Sequence, residues 1–167
     1  MTYEQVTLPS GLIITRVSGT LWRVAQPKTL EDCKVMYNDL GIRTRVKLNT
    51  EQEGSDNCVR AAAIVVYDCS IQPIADGNIL DEVVGIFEKP DPDKIERALA
   101  LMNGENVVVG CQHNHDRTSL LVGLRRVRFE GWTVSDAWDE MIRFGYHPEL
   151  MGLDRTWWSE SSIGASH

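Results

Sequence analysis

Short apolar runs rich in β-branched residues alternate with helix-like segments along this chain of 167 residues. The runs have the length of strands, and the longer segments between them carry the capping residues and glycine stops of helices. Strands that alternate with helices favour an α/β fold with a mainly parallel central sheet. The predicted strands are residues 12–17, 20–24, 42–48, 64–67 and 106–109; the predicted helices are residues 30–40, 56–62, 81–87, 92–103, 117–130 and 134–144.

Three local patterns refine this picture. The Ser18-Gly19 pair between the first two strands predicts a β-hairpin with a two-residue turn. Residues 42–48 alternate apolar side chains with Arg43, Arg45 and Lys47, which predicts a strand with one polar face. Residues 64–67 are continuously apolar, so we expect a buried strand there.

The composition is that of an ordinary globular domain, with 43% hydrophobic and 25% charged residues. A net charge of −7 argues against general nucleic-acid binding, which needs a basic surface. The longest apolar run, residues 61–67, is far shorter than the ~20 residues of a transmembrane helix, and the first residues do not resemble a signal peptide. We therefore expect a single domain over residues 1–158, a flexible tail over residues 159–167, and a cytoplasmic protein without nucleic-acid or membrane partners.

The four cysteines are separate in the sequence, at positions 33, 58, 69 and 111. No pair has the Cys-x-x-Cys spacing of a structural zinc site, and a disulfide framework is not expected in a chain of this size. We expect free thiols, three of them simply buried.

The fourth thiol belongs to the segment that carries chemistry. Cys111 ends a predicted buried strand, and Arg117 follows six positions later at the start of a helix. A loop in this place points backbone N–H groups inward beside the positive end of the helix dipole, which favours a bound tetrahedral dianion and the thiolate form of Cys111. Arg117 adds a planar fork for two oxygens, and Thr118 can donate its hydroxyl to the sulfur. A thiolate facing a held phosphate is a nucleophile for phosphoryl transfer.

The stretch Cys-Gln-His-Asn-His-Asp-Arg-Thr, residues 111–118, resembles the signature loop of cysteine-dependent protein phosphatases of the dual-specificity, tyrosine phosphatase-like branch. The run Arg23-Val24-Ala25-Gln26-Pro27 and scattered residues over 124–146 are also similar to small bacterial members. The resemblance implies a three-layer α/β sandwich, with a mainly parallel sheet of four or five strands flanked by helices. It implies hydrolysis of a phosphomonoester through a phosphocysteine, without metal or organic cofactor. The phosphate would be held by Gln112, His113, Asn114, His115, Asp116 and Arg117.

The resemblance further implies a general acid that protonates the leaving oxygen and later activates water. Asp76, in a loop 35 residues before Cys111, has the placement that the family implies. Four other carboxylates remain alternatives, namely Asp91, Asp68, Asp81 and Asp116.

Three positions depart from the family pattern. Gly110 stands where the family has His, while Asn114 and Ser119 stand where it has Gly. Asn is, after Gly, well suited to a loop position with positive φ. Since the family His helps to order the loop, Gly110 raises the alternative of a weak or inactive phosphate-binding module. It also predicts that Gly110→His would raise turnover, provided that the neighbouring side chains leave room for an imidazole.

Two further alternatives concern the chemistry of the loop. The same thiol could serve a sulfur or arsenate transferase. His113 and His115 could be metal ligands, but their alternate positions should point the side chains outward, so we expect rim residues and no metal. The substrate stays open between a phosphorylated protein and a small phosphomonoester, and the oligomeric state is unknown.

Overall fold

The predicted hairpin forms at the start of the chain, but its two turn residues are Gly19 and Thr20 rather than Ser18 and Gly19, since Ser18 is the last residue of its first strand. In the computed structural model, which describes residues 2–71 and 89–162, β2 (Ile13–Ser18) pairs antiparallel with β3 (Leu21–Arg23), and Gly19 takes a φ of +53° in the turn. A strand that the sequence analysis did not predict, β1 (Gln5–Thr7), pairs antiparallel with the outer side of β2. Together these strands form the antiparallel half of the sheet.

The other half of the sheet is parallel. It contains β4 (Thr44–Lys47), β5 (Val65–Asp68) and β6 (Val107–Gly110). The strand order is β1-β2-β3-β6-β4-β5, and every pairing from β3 to β5 is parallel. The predicted α/β class with a mainly parallel core is therefore confirmed, although the sheet has six strands rather than four or five.

Six helices are described beside the sheet, and three of them begin at the predicted caps. Thr29, Asp91 and Thr133 each accept a hydrogen bond from a backbone N–H of the first turn that follows. The helices are α1 (Leu30–Asn38), α2 (Asn57–Ala61), α3 (Pro92–Met102), α4 (Asp116–Phe129), α5 (Val134–Arg143) and α6 (Met151–Glu160). Among them no helix is long and apolar enough to cross a bilayer.

The sheet separates two apolar cores. Val46, Val109 and Cys111 pack on one side with residues of α3 to α6, whereas Trp22 and Val108 pack on the other side with residues of α1 and α2. This is the predicted arrangement of three layers. α6 was not predicted, and it includes the first two residues of the expected tail; residues 163–167 lie outside the described part of the chain.

Two predictions about strand environment are wrong. β4 does not present a polar face to solvent, since Arg45 and Lys47 are both fully buried. β5 is not buried, because it is the edge strand and leaves Val65 55% and Tyr67 36% exposed. Residue alternation reports which side chains share a face, but not whether the strand lies in the centre or at the edge of its sheet.

Candidate active site

The predicted anion loop spans residues 111–115, between the end of β6 and the start of α4. β6 lies between two parallel neighbours, so Cys111 leaves the carboxyl end of a central strand and faces the amino end of a helix. Its side chain is buried, with 3% of the residue exposed. Asn114 has a φ of +62°, which confirms that this position needs a residue that tolerates the left-handed region.

Thr118 lies where the sequence predicted it. Its Oγ1 donates to the Cys111 Sγ at 3.1 Å, and both groups are buried. The catalytic role of Thr118 stays a prediction.

Arg117 is held by a residue that the sequence analysis missed. Its Nη1 and Nη2 donate to the two carboxylate oxygens of Glu53, at 3.0 and 2.7 Å. Burial lowers the pKa of Arg117, but the hydrogen bonds to Glu53 and the negative charge of Cys111 outweigh it and raise the pKa. Arg117 Nε takes no part in this pair, so Glu53 occupies only the Nη1–Nη2 edge of the guanidinium.

Glu53 is fixed in turn by Thr50. The backbone N–H and the hydroxyl of Thr50 donate to Glu53 Oε2 at 2.8 and 3.2 Å. Burial raises the pKa of Glu53, but the hydrogen bonds from Arg117 and Thr50 have the larger effect, so the pKa is lowered overall. The sequence did carry a signal here, since Thr50-x-x-Glu53 has the spacing of a capping box.

A second missed residue, Arg23, braces the far side of the loop. Its Nε donates to Asn114 Oδ1 at 3.0 Å, and its Nη2 donates to the Asn114 carbonyl at 2.7 Å and to Ser119 Oγ at 2.9 Å. The guanidinium is buried and stacks on Phe144, 4.2 Å from the ring centroid. Burial lowers the pKa of Arg23 to about 10, against the opposing charge of Cys111. Two of the three departures from the family pattern, Asn114 and Ser119, are thus partners of one buried arginine.

The third departure, Gly110, follows from packing. A Cβ at this position would lie 2.1 Å from the carbonyl oxygen of Val24 and 2.9 Å from Arg45 Nη1. Contacts this short do not occur, and the first of them is with backbone that no rotamer change relieves. The expectation that Gly110→His would raise turnover required room for an imidazole, and the backbone of Val24 and the buried Arg45 guanidinium take up that room. Packing therefore accounts for the glycine at this position.

Behind the loop lies a buried polar cluster, made of Gln26, Arg45, Lys47 and Asp56. Gln26 Oε1 accepts from Arg45 Nη2 at 3.1 Å and from Lys47 Nζ at 3.0 Å, while its Nε2 donates to Asp56 Oδ1 at 2.6 Å. Asp56 pairs with both cations, at 3.1 and 3.2 Å. One carboxylate thus faces two cations, and the cluster has a net positive charge when all three groups are ionised.

A backbone hydrogen bond connects the cluster to the loop. The Gln26 N–H donates to the carbonyl of Gln112 at 3.1 Å. Burial raises the pKa of Asp56, but Arg45, Gln26 and Lys47 lower it more, which keeps the carboxylate charged. Burial is also the largest influence on Lys47 and lowers its pKa.

The rim of the loop carries the predicted histidines. His113 and His115 are exposed, as expected of rim residues. Asp116 accepts from the backbone N–H of His147 at 2.7 Å and lies 2.9 Å from its Nδ1, so this carboxylate holds the segment after α5 against the loop. Within residues 2–71 and 89–162, no group of three or more His, Cys, Asp or Glu side chains is arranged to hold a metal ion.

A cavity of about 320 Å³ opens beside the loop. It is lined by Gln26, Pro27, Lys28, Glu53, Gly54, Ser55, Gln112 and His113. Glu53 thus belongs both to this wall and to the pair with Arg117. The cavity therefore opens directly beside the loop, at Gln112 and His113.

The candidate general acids differ in what is known of their surroundings. Asp76 and Asp81 lie outside the described residues. Asp91 is exposed and caps α3 by accepting from the Asp93 N–H at 2.9 Å. Asp68 is bound by the N–H and hydroxyl of Ser70, whose bonds outweigh burial and lower its pKa, which disfavours the protonated form that a general acid needs.

Comparisons with known proteins agree with this geometry. No protein-family model and no curated protein matches the sequence. Among solved structures, TpbA of P. aeruginosa is 20% identical with a TM-score of 0.63, covering 90% of this chain and 88% of TpbA. The core catalytic domain of the PP-IP phosphatase SIW14 from S. cerevisiae is 19% identical with a TM-score of 0.63, covering 90% and 83%. PTPMT1 in complex with PI(5)P is 14% identical with a TM-score of 0.60, covering 91% and 99%. These neighbours are cysteine-based phosphatases, and at such identities the likeness concerns the fold.

Proposed function

Because the chain has the fold of the cysteine phosphatases, we propose that it hydrolyses phosphomonoesters through a phosphocysteine intermediate. The observation that carries this proposal is the hydroxyl of Thr118 at 3.1 Å from the buried Cys111 sulfur, at the amino end of α4. A loop that only bound phosphate would have no need of a donor on a buried thiol. A sulfur that must attack and later depart is helped by one in both steps.

The first step uses groups on the loop. Backbone N–H groups of residues 112–117 and the Nε edge of Arg117 bind the phosphate dianion, and the Cys111 thiolate attacks phosphorus. The bond between phosphorus and the leaving oxygen breaks, and Asp76 gives that oxygen its proton. The helix end and Arg117 supply positive charge where negative charge develops.

The second step regenerates the Cys111 thiolate. Asp76, now a carboxylate, takes a proton from water, and the resulting hydroxide attacks the phosphocysteine. The bond between sulfur and phosphorus breaks, inorganic phosphate leaves, and Thr118 stabilises the departing thiolate. Arg23 acts through Asn114, which it holds at positive φ, so that the loop keeps its N–H groups directed inward.

The substrate class that we propose is a phosphorylated protein side chain, as for a tyrosine or dual-specificity phosphatase. In support, the structures with this fold include TpbA in complex with pTyr, at 21% identity and a TM-score of 0.57. The PI(5)P in PTPMT1 favours a second candidate, a small phosphomonoester. The cavity beside the loop, with Lys28 in its wall, has room for more than the phosphate itself.

Turnover of an aryl phosphate, with and without a metal chelator, tests the proposal. We expect hydrolysis that survives the chelator and disappears in Cys111→Ser. The matched control is Cys58→Ser, which removes a half-buried thiol on α2 and should leave turnover unchanged. Equal activity in Cys111→Ser contradicts the mechanism, and phosphate binding without turnover by the native protein identifies a binding module. Reaction with a thiosulfate donor instead identifies a sulfur transferase.

A further inference from the structure

We propose that Lys47 is a positioning residue, which holds the turn that carries Glu53 and thereby sets the orientation of Arg117. The inference rests on the proposed function, since it takes Arg117 as the side chain that binds the phosphate. It concerns a residue on the far side of the sheet from Cys111, with no contact to the space that a substrate would occupy.

The Lys47 ammonium has an acceptor for each of its three protons. Nζ lies 3.0 Å from Gln26 Oε1, 3.2 Å from Asp56 Oδ2 and 2.6 Å from the carbonyl oxygen of Gly54. The first two contacts are internal to the buried polar cluster. The third, which is the shortest, leaves the cluster and reaches the residue directly after Glu53.

The turn that receives this bond is short and held at both ends. Glu53 and Gly54 each donate a backbone N–H to the carbonyl of Thr50, at 3.1 and 3.2 Å. At the other end, a Cβ on Gly54 would lie 2.5 Å from Gln26 Cγ, so the turn packs directly on the cluster. Glu53 therefore stands between two fixed points, and its carboxylate meets Arg117 at 2.7 and 3.0 Å.

Packing alone does not require a lysine at this position. Lysine is almost never fully buried unless its charge is paired, and an apolar residue of similar length fills such a site without the cost of desolvation. Lys47 is also the register partner of Gly110 across the β4–β6 ladder, so it lies level with the base of the phosphate loop. The Lys47 ammonium links β4 to the turn that carries Glu53, which an apolar side chain would not do.

The main test is Lys47→Met, which keeps the length of the side chain and removes all three donors. Asp56 stays paired with Arg45 and Gln26 in this variant, so no buried carboxylate is left alone. We expect KM for an aryl phosphate and the inhibition constant of inorganic phosphate to rise about tenfold, as for a misplaced binding group, with a smaller change in kcat. Lys34→Met, on the exposed face of α1, is the matched control and should change neither constant.

A double-mutant cycle separates positioning from a general loss of stability. If Lys47 acts through Glu53, then adding Lys47→Met to Glu53→Gln should raise KM no further than Glu53→Gln alone. Independent multiplication of the two effects overturns the inference. So does an unchanged KM in Lys47→Met.

Gly54→Ala keeps the proposal testable if Lys47→Met does not fold. It pushes the turn away from Gln26 and leaves every buried charge in place, so the same rise in KM and the same lack of additivity with Glu53→Gln are expected. An unchanged phosphate affinity in folded Gly54→Ala counts against the inference. Failure of the proposed function gives a different result, because the native protein itself would then show no turnover. In that case, calorimetry of inorganic phosphate binding to the native protein and to Lys47→Met would still test the role of Lys47.

Discussion

Arg23 and Asn114 are 91 residues apart in the sequence, yet the Arg23 guanidinium binds both the side-chain oxygen and the carbonyl of Asn114. This contact holds the one residue with positive φ in the loop over residues 111–115. The loop is therefore braced from two directions, by Arg23 beneath Asn114 and by Glu53 behind Arg117. Neither brace is part of the signature stretch itself.

Arg23→Met should lower kcat/KM for an aryl phosphate about 10- to 100-fold, since Asn114 loses its support and the loop N–H groups lose their alignment. Folding should also weaken, because hydrogen bonds from a charged group contribute about 1.5–3 kcal/mol. The control is Arg43→Met, an exposed arginine stacked on Tyr37. Steady-state kinetics beside thermal unfolding separates the two effects, and full activity in folded Arg23→Met would show that Asn114 needs no brace.

Gly110→Ala should destabilise the protein by about 1–3 kcal/mol, the usual cost of overpacking, because its Cβ meets the Val24 carbonyl. Urea denaturation measures this loss. Gly104→Ala is a milder comparison, with the nearest backbone oxygen at 3.2 Å. A folded Gly110→His protein with higher turnover than the native chain would contradict the assignment of this space to Val24 and Arg45.

Stability should depend on pH through His147. The hydrogen bond and the charge of Asp116 raise the pKa of His147 above its unfolded value, so the folded state binds the proton more tightly. This contribution is complete below the unfolded pKa of about 6.5 and is lost as pH rises through the folded pKa. Melting temperatures of the native protein and His147→Gln should therefore differ more at about pH 5 than at about pH 8.5.

Asp116→Asn removes the partner of that imidazole and should erase the same pH dependence. Combining Asp116→Asn with His147→Gln should cause no further loss in the pH-dependent part. A difference between native and His147→Gln that is constant with pH would mean that the pair seen at 2.9 Å does not bind a proton more tightly in the folded state.

Asp76→Asn should lower turnover of an alkyl phosphate by roughly 10²–10³, within the range of general acid–base catalysis. The loss should be smaller for an activated aryl phosphate, whose leaving group needs less protonation. Asp91→Asn is the matched comparison, since Asp91 serves as the cap of α3. If Asp91→Asn shows the dependence on leaving group and Asp76→Asn does not, the acid has been assigned to the wrong loop.

The features of the candidate site that the sequence predicted are those formed by residues close together in the chain. Cys111, Arg117 and Thr118 lie within eight consecutive positions, and a strand before them with a helix after them fixes their relative placement. Helix starts such as those at Thr29 and Thr133 were predictable for the same reason, since a cap binds the turn that follows it.

The parts that it missed depend on the order of strands. Glu53 meets Arg117 across 64 positions, and no local pattern predicts that meeting. Arg45 and Lys47 were expected on a polar face because their counter-ion, Asp56, lies at the start of α2 and approaches them only when the sheet is assembled. The prediction that β5 is buried was wrong for the same reason, since the sequence does not show that β5 lies at the edge of the sheet.

The position of β6 has a consequence for when Cys111 reaches its place in the fold. β6 is the last strand in the sequence, but it enters the sheet between β3 and β4, which are made long before it. During synthesis the two older strands therefore present inner edges with unpaired backbone groups, the kind of surface that invites aggregation. Pairings across such long separations are slow to form. Until β6 is paired with β3 and β4, Cys111 does not lie at the carboxyl end of a central strand, so insertion of that single strand both closes the sheet and completes the proposed phosphate loop.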